Sequence, residues 1–379
     1  MGSDETQDPL KSLFCIQDVK DCALKGLPQT YWDYFARGTA NEVTLANNEL
    51  AFQKFRIRPR VMVDVSQLEL ETTVLGERVA FPVGISPSAL HELAHPEGES
   101  ATAVAAGEEG TIYIQSTLSS QSVEEVGAAA PKTTKWLQLF IFHDKCVTNI
   151  FLVARAEKAG FKAIVVTVDI PIISLRKYGN SSSGPPFPDH LRFANLTNER
   201  CSLSQTNKNS GGERFDTKGA FNPRQTWDDI KWLKSITKLP VVLKGILTKE
   251  DAILGADAGA DGILVSNHGG RQLDGSPATI EALPEIVEAV GDRVEVYLDG
   301  GVRGGVDVFI ALALGAKMVF IGRPAVWGLA VGGQDGVKKV LDIFKNELSN
   351  VMALSGAVSP QQITNSMVVH ESYYNKFLR

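Results

Sequence analysis

His268 lies in the run Ser266-Asn-His-Gly-Gly-Arg-Gln-Leu-Asp-Gly275, three residues before Arg271, and Asp169 closes the apolar run Ala163–Asp169. An imidazole backed by a buried carboxylate is a general base, because the carboxylate orients the ring and stabilises its protonated form. Lys244 ends another apolar run, Pro240–Lys244. A lysine at the end of a buried strand is costly unless it meets an anion or gives up its charge. Arg176 and Arg271 add two cations, and an arginine pair can hold a carboxylate through bidentate hydrogen bonds. Asp299-Gly-Gly-Val-Arg303 and Gly322-Arg323 set glycine beside arginine after two successive apolar runs. Glycine lets backbone N–H groups approach a phosphate and arginine adds charge-assisted donors, so these two segments predict a phosphate site.

The elements that must position these groups repeat along the chain. Strands are predicted at Phe81–Ile85, Ile112–Gln115, Trp136–Phe140, Ala163–Asp169, Pro240–Lys244, Gly262–Ser266, Val294–Asp299 and Met318–Ile321. Short continuous apolar runs of this kind fit strands buried on both faces of a parallel sheet. Amphipathic helices are predicted between them at Ser122–Ala129, Val147–Ala159, Lys249–Ala258, Pro277–Val290 and Val306–Leu314. Eight strand–helix units over about 250 residues point to an α/β fold, a (β/α)8 barrel. The doubly wound alternative lacks a Gly-x-Gly-x-x-Gly after the first strand. In a barrel the C-terminal strand ends face the active site. Here those ends read Ser86-Pro87-Ser88-Ala89, Gln115-Ser116-Thr117, Gln138, Thr167-Val168-Asp169, Lys244-Gly245, Ser266-Asn267-His268, Asp299-Gly300-Gly301 and Gly322-Arg323, a polar group at every one. Of the 34 glycines, 18 fall between Gly245 and Gly336, the half that carries the predicted phosphate site. The whole chain, 1–379, reads as a single barrel domain, with residues 1–80 as a helical cap (Tyr31–Arg37, Leu45–Phe55) over one end. Residues 181–226, long and aperiodic after the fourth strand, read as a flexible lid loop.

Composition excludes other classes. With 44% apolar residues the chain is not disordered, and a net charge of −6 argues against non-specific nucleic-acid binding. Cys15, Cys22, Cys146 and Cys201 have no metal-ligand spacing and are too few for a disulfide scaffold, so no metal and a reducing, intracellular compartment are expected. No signal-type apolar core opens the chain and no run of 18 apolar residues occurs, so no membrane association is expected. Met-Gly-Ser-Asp-Glu-Thr fits the myristoylation pattern only formally, and a solvated tail is the simpler reading. Lys376-Phe377-Leu378-Arg379 is not a Ser-Lys-Leu type terminus.

The histidine run, Leu243-Lys-Gly-Ile-Leu-Thr-Lys-Glu-Asp-Ala252 and Leu298-Asp-Gly-Gly-Val-Arg303 resemble the FMN-dependent 2-hydroxy-acid oxidase family, which includes glycolate oxidase, lactate oxidase, mandelate dehydrogenase and flavocytochrome b2. His95-Pro-Glu-Gly-Glu99, Ala159-Gly-Phe-Lys-Ala163 and Gly322-Arg-Pro-Ala-Val-Trp-Gly328 extend the resemblance, which spans about Tyr31 to Ser355. It implies FMN across the barrel mouth, with its phosphate on Gly301, Arg303, Gly322 and Arg323. Pro87, Ser88, Ala89, Ser116, Gln138, Thr167, Ser266 and Asp299 would be further FMN-binding positions, with Lys244 beside the flavin's N1–C2 carbonyl edge, where a cation stabilises the anionic reduced ring. Tyr34, Arg176 and Arg271 would bind the substrate carboxylate, and His268, with Asp169 behind it, would take the hydroxyl proton. The expected reaction turns an (S)-2-hydroxy acid into a 2-oxo acid and oxygen into hydrogen peroxide. By the same resemblance the chain would form a homo-oligomer, a tetramer, and be peroxisomal, with the cytoplasm as the alternative.

Three positions depart from the family's pattern. The usual Gln-Leu-Tyr reads Gln138-Leu139-Phe140, Leu118 stands where glycolate oxidases often carry tryptophan, and Asp169-Ile-Pro-Ile-Ile-Ser-Leu-Arg176 is more aliphatic than usual. Together they point to a substrate larger and more apolar than glycolate; neutral drift with compensating packing is the alternative. The missing phenol opens a second reading, a member with weak or altered oxidase activity such as a dehydrogenase. A barrel that keeps FMN or another phosphate ligand only as a binding module is a third. A phosphosugar isomerase would share the phosphate site but leave Lys244, Arg176, Arg271 and His268 unexplained.

Overall fold

The computed structural model describes residues 9–143, 145, 150–176, 188, 191–196 and 221–377. Eight parallel strands close into a barrel: β1 Val83–Ile85, β2 Ile112–Gln115, β3 Thr134–Leu139, β4 Ala163–Thr167, β5 Val241–Ile246, β6 Gly262–Val265, β7 Glu295–Asp299 and β8 Met318–Ile321. They follow one another in sequence order around the ring, with β8 pairing β1 through Val319–Val83 and Ile321–Ile85. The predicted helices appear as Val123–Ala129, Phe151–Lys158, Lys249–Asp257, Thr279–Val290 and Gly305–Ala313. The predicted loop at 181–226 falls largely outside the described residues.

The barrel interior explains why the strand ends are polar. Ile114, Trp136, Val165, Val242, Leu264, Tyr297 and Phe320 form one buried cluster inside the ring. On β1 the equivalent place is Gly84, where a Cβ would lie 2.7 Å from the Phe320 ring. Strand side chains alternate, so the residue two further on points inward again, one layer nearer the C-terminal mouth. Those residues are Ser86, Ser116, Gln138, Thr167, Lys244, Ser266, Asp299 and Gly322, so one side-chain period separates the apolar plug from a polar floor.

The N-terminal segment reaches both ends of the barrel. A hairpin, Thr72–Val74 with Glu77–Val79, adds Val74 and Val79 to the interior cluster, and Leu75 N–H donates to the Glu295 carboxylate at the N-terminal end of β7. Helices Gln29–Ala36 and Val43–Leu50 lie instead against the C-terminal loops. The chain after β8 forms helix, kink and helix across Arg323–Ser355, broken at Gly332–Gly333. Glu97 Oε2 accepts from Gln334 N–H at 3.0 Å there, so a carboxylate meets the N-terminus of the second half.

Candidate active site

Asp169 and His268 come from the loops after β4 and β6, and their side chains meet at the mouth. His268 Nδ1 lies 3.2 Å from Asp169 Oδ1. With that nitrogen protonated and donating, Nε2 carries the lone pair, and it has no hydrogen-bond partner among the described residues. His268 sits in the left-handed region at φ 59°, a conformation that costs a residue with a Cβ about 1–2 kcal/mol. Its N–H donates to Ser266 Oγ at 3.1 Å. Burial, opposed by the Asp169 charge, holds the imidazole below its ordinary value, so it is neutral at pH 7. Burial alone would raise the Asp169 carboxyl; His268 and Lys244 hold it below the usual range. A bulge between β5 and β6 at Gly245 makes room for it, since a Cβ there would fall 2.7 Å from Asp169 Cβ.

The polar floor is a connected network. Lys244 Nζ donates to Ser266 Oγ at 2.8 Å and lies 3.1 Å from Asp299 Oδ2, with both charged side chains buried. Ser86 Oγ donates to the same Asp299 oxygen at 2.7 Å, while Asp299 Oδ1 is buried with no partner among the described residues. Gln138 accepts from Thr117 N–H and Ser116 Oγ, and donates to Thr167 Oγ1 at 2.9 Å. Pro87, Ser88, Ala89 and Leu118 are half-buried at the rim. Phe140, just past β3, is buried against Phe142 and Phe221, with ring centroids 6.1 and 4.9 Å away.

Four arginines gather on the other side. Arg271 Nη1 donates to the carbonyl of Tyr34 at 2.7 Å, and its guanidinium lies 5.6 Å from the Tyr34 ring centroid. Arg176 Nε donates to Arg271 O at 3.0 Å and Nη2 to Gln272 Oε1 at 3.3 Å. Arg303 pairs with Glu49 at 2.8 Å, lies over the Trp327 ring, and leaves Nε buried without a partner among the described residues. Arg323 donates to Phe35 O and Gly269 O, both at 2.9 Å. Burial, then the charges of Arg271 and Arg303, push Arg323 well below its ordinary value. A buried cation crowded by others calls for an anion beside it. Gly322 is open, with Ser86 and Ser88 no nearer than 3.9 Å to a Cβ built there, and the helix starting at Arg323 directs its N-terminus at the same place. The residues therefore fit FMN: an arginine-rich, open helix N-terminus suits its phosphate, and the orphaned Asp299 oxygen suits a ribityl hydroxyl.

The strand ends thus bring together the predicted polar positions. Sequence reasoning missed Asn48, Glu49 and Thr39, which hold the arginine and histidine loops from outside them, and Gln272, which ties the histidine loop to the Asp169 carbonyl. Thr44 and Asn48, polar residues one helical turn apart, are both buried in the structure, which no local pattern marked in the sequence.

Residues 23–370 match the FMN-dependent dehydrogenase family. Peroxisomal (S)-2-hydroxyacid oxidase GLO4 of Arabidopsis thaliana is 46% identical over 357 residues, covering 94% of this chain and 96% of that protein. 2-Hydroxyacid oxidase 1 of Homo sapiens is 46% identical over 362 residues, covering 95% and 97%. A solved structure of mandelate oxidase with (S)-4-hydroxymandelic acid superposes with a TM-score of 0.85 at 40% identity, covering 92% of this chain and 97% of that one. The chain belongs to the FMN-dependent dehydrogenase family, the class its barrel and arginine-lined mouth define. Within that family its enzyme class is that of the flavin-dependent (S)-2-hydroxy-acid oxidases.

Proposed function

We propose that the protein oxidises (S)-2-hydroxy acids larger and more apolar than glycolate to their 2-oxo acids. The observation that carries this reading is the His268–Asp169 contact at a mouth lined by arginines. In this reading His268 Nε2 takes the hydroxyl proton, and Asp169 stabilises the imidazolium that results. Arg176, Arg271 and Tyr34 hold the carboxylate, and a fixed carboxylate sets which face of the substrate carbon presents its hydrogen. Arg303, Arg323, Gly301 and Gly322 hold the FMN phosphate. Pro87, Ser88, Ala89, Ser116, Gln138, Thr167, Lys244, Ser266 and Asp299 line the rest of the cofactor. When bound, FMN would supply the two-electron acceptor the oxidation needs, with oxygen as the terminal acceptor, reduced to hydrogen peroxide with the two hydrogens the substrate gives up.

The substrate class is supported by the rim. Phe140 lies in an aromatic cluster, Leu118 is half-buried, Ile170 is buried, and Ile172, Leu175 and Leu273 are exposed nearby in sequence to Asp169 and Arg271. Apolar walls favour an apolar substrate chain. Phe140 also motivates the second reading, a member with weak or altered oxidase activity such as a dehydrogenase or a repurposed enzyme, because phenylalanine donates no hydrogen bond to the reacting hydroxyl. The family's homotetramer and a peroxisomal or cytoplasmic site are carried by relationship; the Arabidopsis relative is named as peroxisomal.

Anaerobic mixing of the FMN-loaded protein with short, long-chain and aromatic 2-hydroxy acids tests this reading. The yellow colour should bleach fastest with the long or aromatic acids and return quickly on admitting oxygen. Fastest bleaching by glycolate would overturn the substrate class. Slow return after oxygen would favour the second reading, and no bleaching by any acid would sink the first.

A further inference from the structure

The helix Val43–Leu50 lies outside the barrel repeat, yet it touches both loops that carry the chemistry. Asn48 Nδ2 donates to Asn267 Oδ1 at 2.9 Å, and Asn267 Nδ2 donates back to Asn48 Oδ1 at 2.7 Å. Both side chains are buried, so the two amides satisfy each other in one relative orientation. Asn267 uses its remaining capacity on its own loop: Nδ2 also donates to Pro277 O at 3.0 Å, and Oδ1 accepts from Gly270 N–H at 3.2 Å. Between those anchors the chain is left-handed at three successive residues, His268, Gly269 and Gly270, with φ of 59°, 65° and 72°. A run of this kind persists only where its surroundings hold it. Gly270 is held from the N-terminal side too, its carbonyl accepting Thr39 N–H at 3.0 Å. The same helix meets the other loop: a Cβ on Gly301 would fall 1.9 Å from Asn48 O, and Glu49 pairs with Arg303.

We propose that the Asn48–Asn267 amide pair is a positioning device that holds the left-handed turn aiming His268 and keeps it in register with the loop bearing Arg303. The proposal rests on His268 being the base. Asn48 acts through the turn, not on the substrate. Arg271, at the far end of the turn, is tied separately to the carbonyls of Tyr34, Phe35 and Arg37. Loosening the pair should therefore spare substrate binding and impair the proton transfer.

The test uses the full chain at saturating FMN with Asn48→Ala, Asn48→Asp and Asn267→Ala. Asn48→Asp keeps the shape and one of the two hydrogen bonds but turns an oxygen toward Asn267 Oδ1. Each variant should lose about 10- to 100-fold in kcat, with KM changed less than about threefold. The double variant Asn48→Ala/Asn267→Ala should be no worse than Asn267→Ala alone, because that single variant already removes the pair along with the Asn267 bonds to Pro277 O and Gly270 N–H. Backbone hydrogen exchange should quicken at 266–271 while the barrel strands stay protected. Unchanged kcat, losses that multiply in the double variant, or exchange that quickens equally throughout the barrel would overturn the proposal. His268→Ala is the separate arm: turnover retained there removes the base assignment, whereas the local exchange readout still judges the pair's hold on the turn.

Discussion

His268 has to be neutral to accept a proton and charged immediately afterwards, and its surroundings serve both states. Burial depresses its pKa, so the neutral form prevails at pH 7, while Asp169 at 3.2 Å stabilises the cation once it forms. Since the base works only when neutral and its pKa lies below the ordinary histidine value of about 6.5, the acid limb of kcat/KM should be centred below pH 6.5. A limb centred above pH 6.5 would contradict the assignment. His268→Ala should leave the protein yellow but unable to bleach with any 2-hydroxy acid, read by anaerobic stopped flow. Phe140→Tyr bears on the missing phenol. If the pocket is otherwise that of its relatives, the added hydroxyl should raise kcat about tenfold or more by a hydrogen bond formed in the transition state. The aromatic packing of Phe140 on Phe221 argues the other way, that the pocket has been rebuilt around an apolar ring. A fall in turnover with an aromatic acid would support the rebuilt pocket.

At the scale of elements, the barrel strands supply the floor and the N-terminal helices supply the clamp. Close backbone approaches mark where the two meet. Gly301 has φ of +82° and lies so near Asn48 that a Cβ would overlap its carbonyl, whereas Gly160, at φ +83°, has open space around it. Both glycines relieve the same torsional cost, but only one also relieves a collision. Gly160→Ala should therefore cost about 1 kcal/mol from the left-handed backbone alone. Gly301→Ala should cost about 2–4 kcal/mol and weaken FMN binding, as the helix Val43–Leu50 is pushed off the loop. Denaturant midpoints and FMN titration would check both, and equal losses in the two variants would disprove the clamp.

Across the whole molecule, buried titratable groups away from the site tie stability to pH. His91 is buried, with Nδ1 on Thr102 Oγ1 at 3.0 Å and Nε2 lacking a partner among the described residues, and burial lowers its pKa to about 3. An unfolded chain protonates this histidine at pH below about 6.5 and the folded chain does not, so acid favours unfolding. The stability lost between pH 6.5 and 5 is about 2 kcal/mol, from 1.36 kcal/mol per pH unit. Glu99, whose pKa burial raises, runs in the opposite sense: its unfavourable contribution grows as pH rises above the ordinary glutamate value. His91→Gln should flatten the acid side of the stability profile and leave Glu99 in place, since the backbone N–H of residue 91 still donates to it. Thermal melts of both proteins between pH 5 and 7 would decide this, and parallel curves would refute it.

The strands, their order and the polar groups at their ends were legible in the sequence, because a parallel barrel buries short apolar runs and its active end sits where those runs stop. His268, Asp169, Lys244, Arg176, Arg271, Arg303 and Arg323 stood out for the same local reason: charge abutting a buried strand or glycine. Asn48 did not, because an asparagine on a short surface-like helix becomes informative only once Asn267, more than two hundred residues away, is seen facing it. The hairpin under the barrel and the pairing of Glu49 with Arg303 were hidden likewise. Sequence by itself determined which chemical groups this protein has and which strand each one ends, since local pattern decides secondary structure and side-chain period. Only the tertiary structure decided how those groups are held, because contacts between distant segments are set by packing and carry no local period.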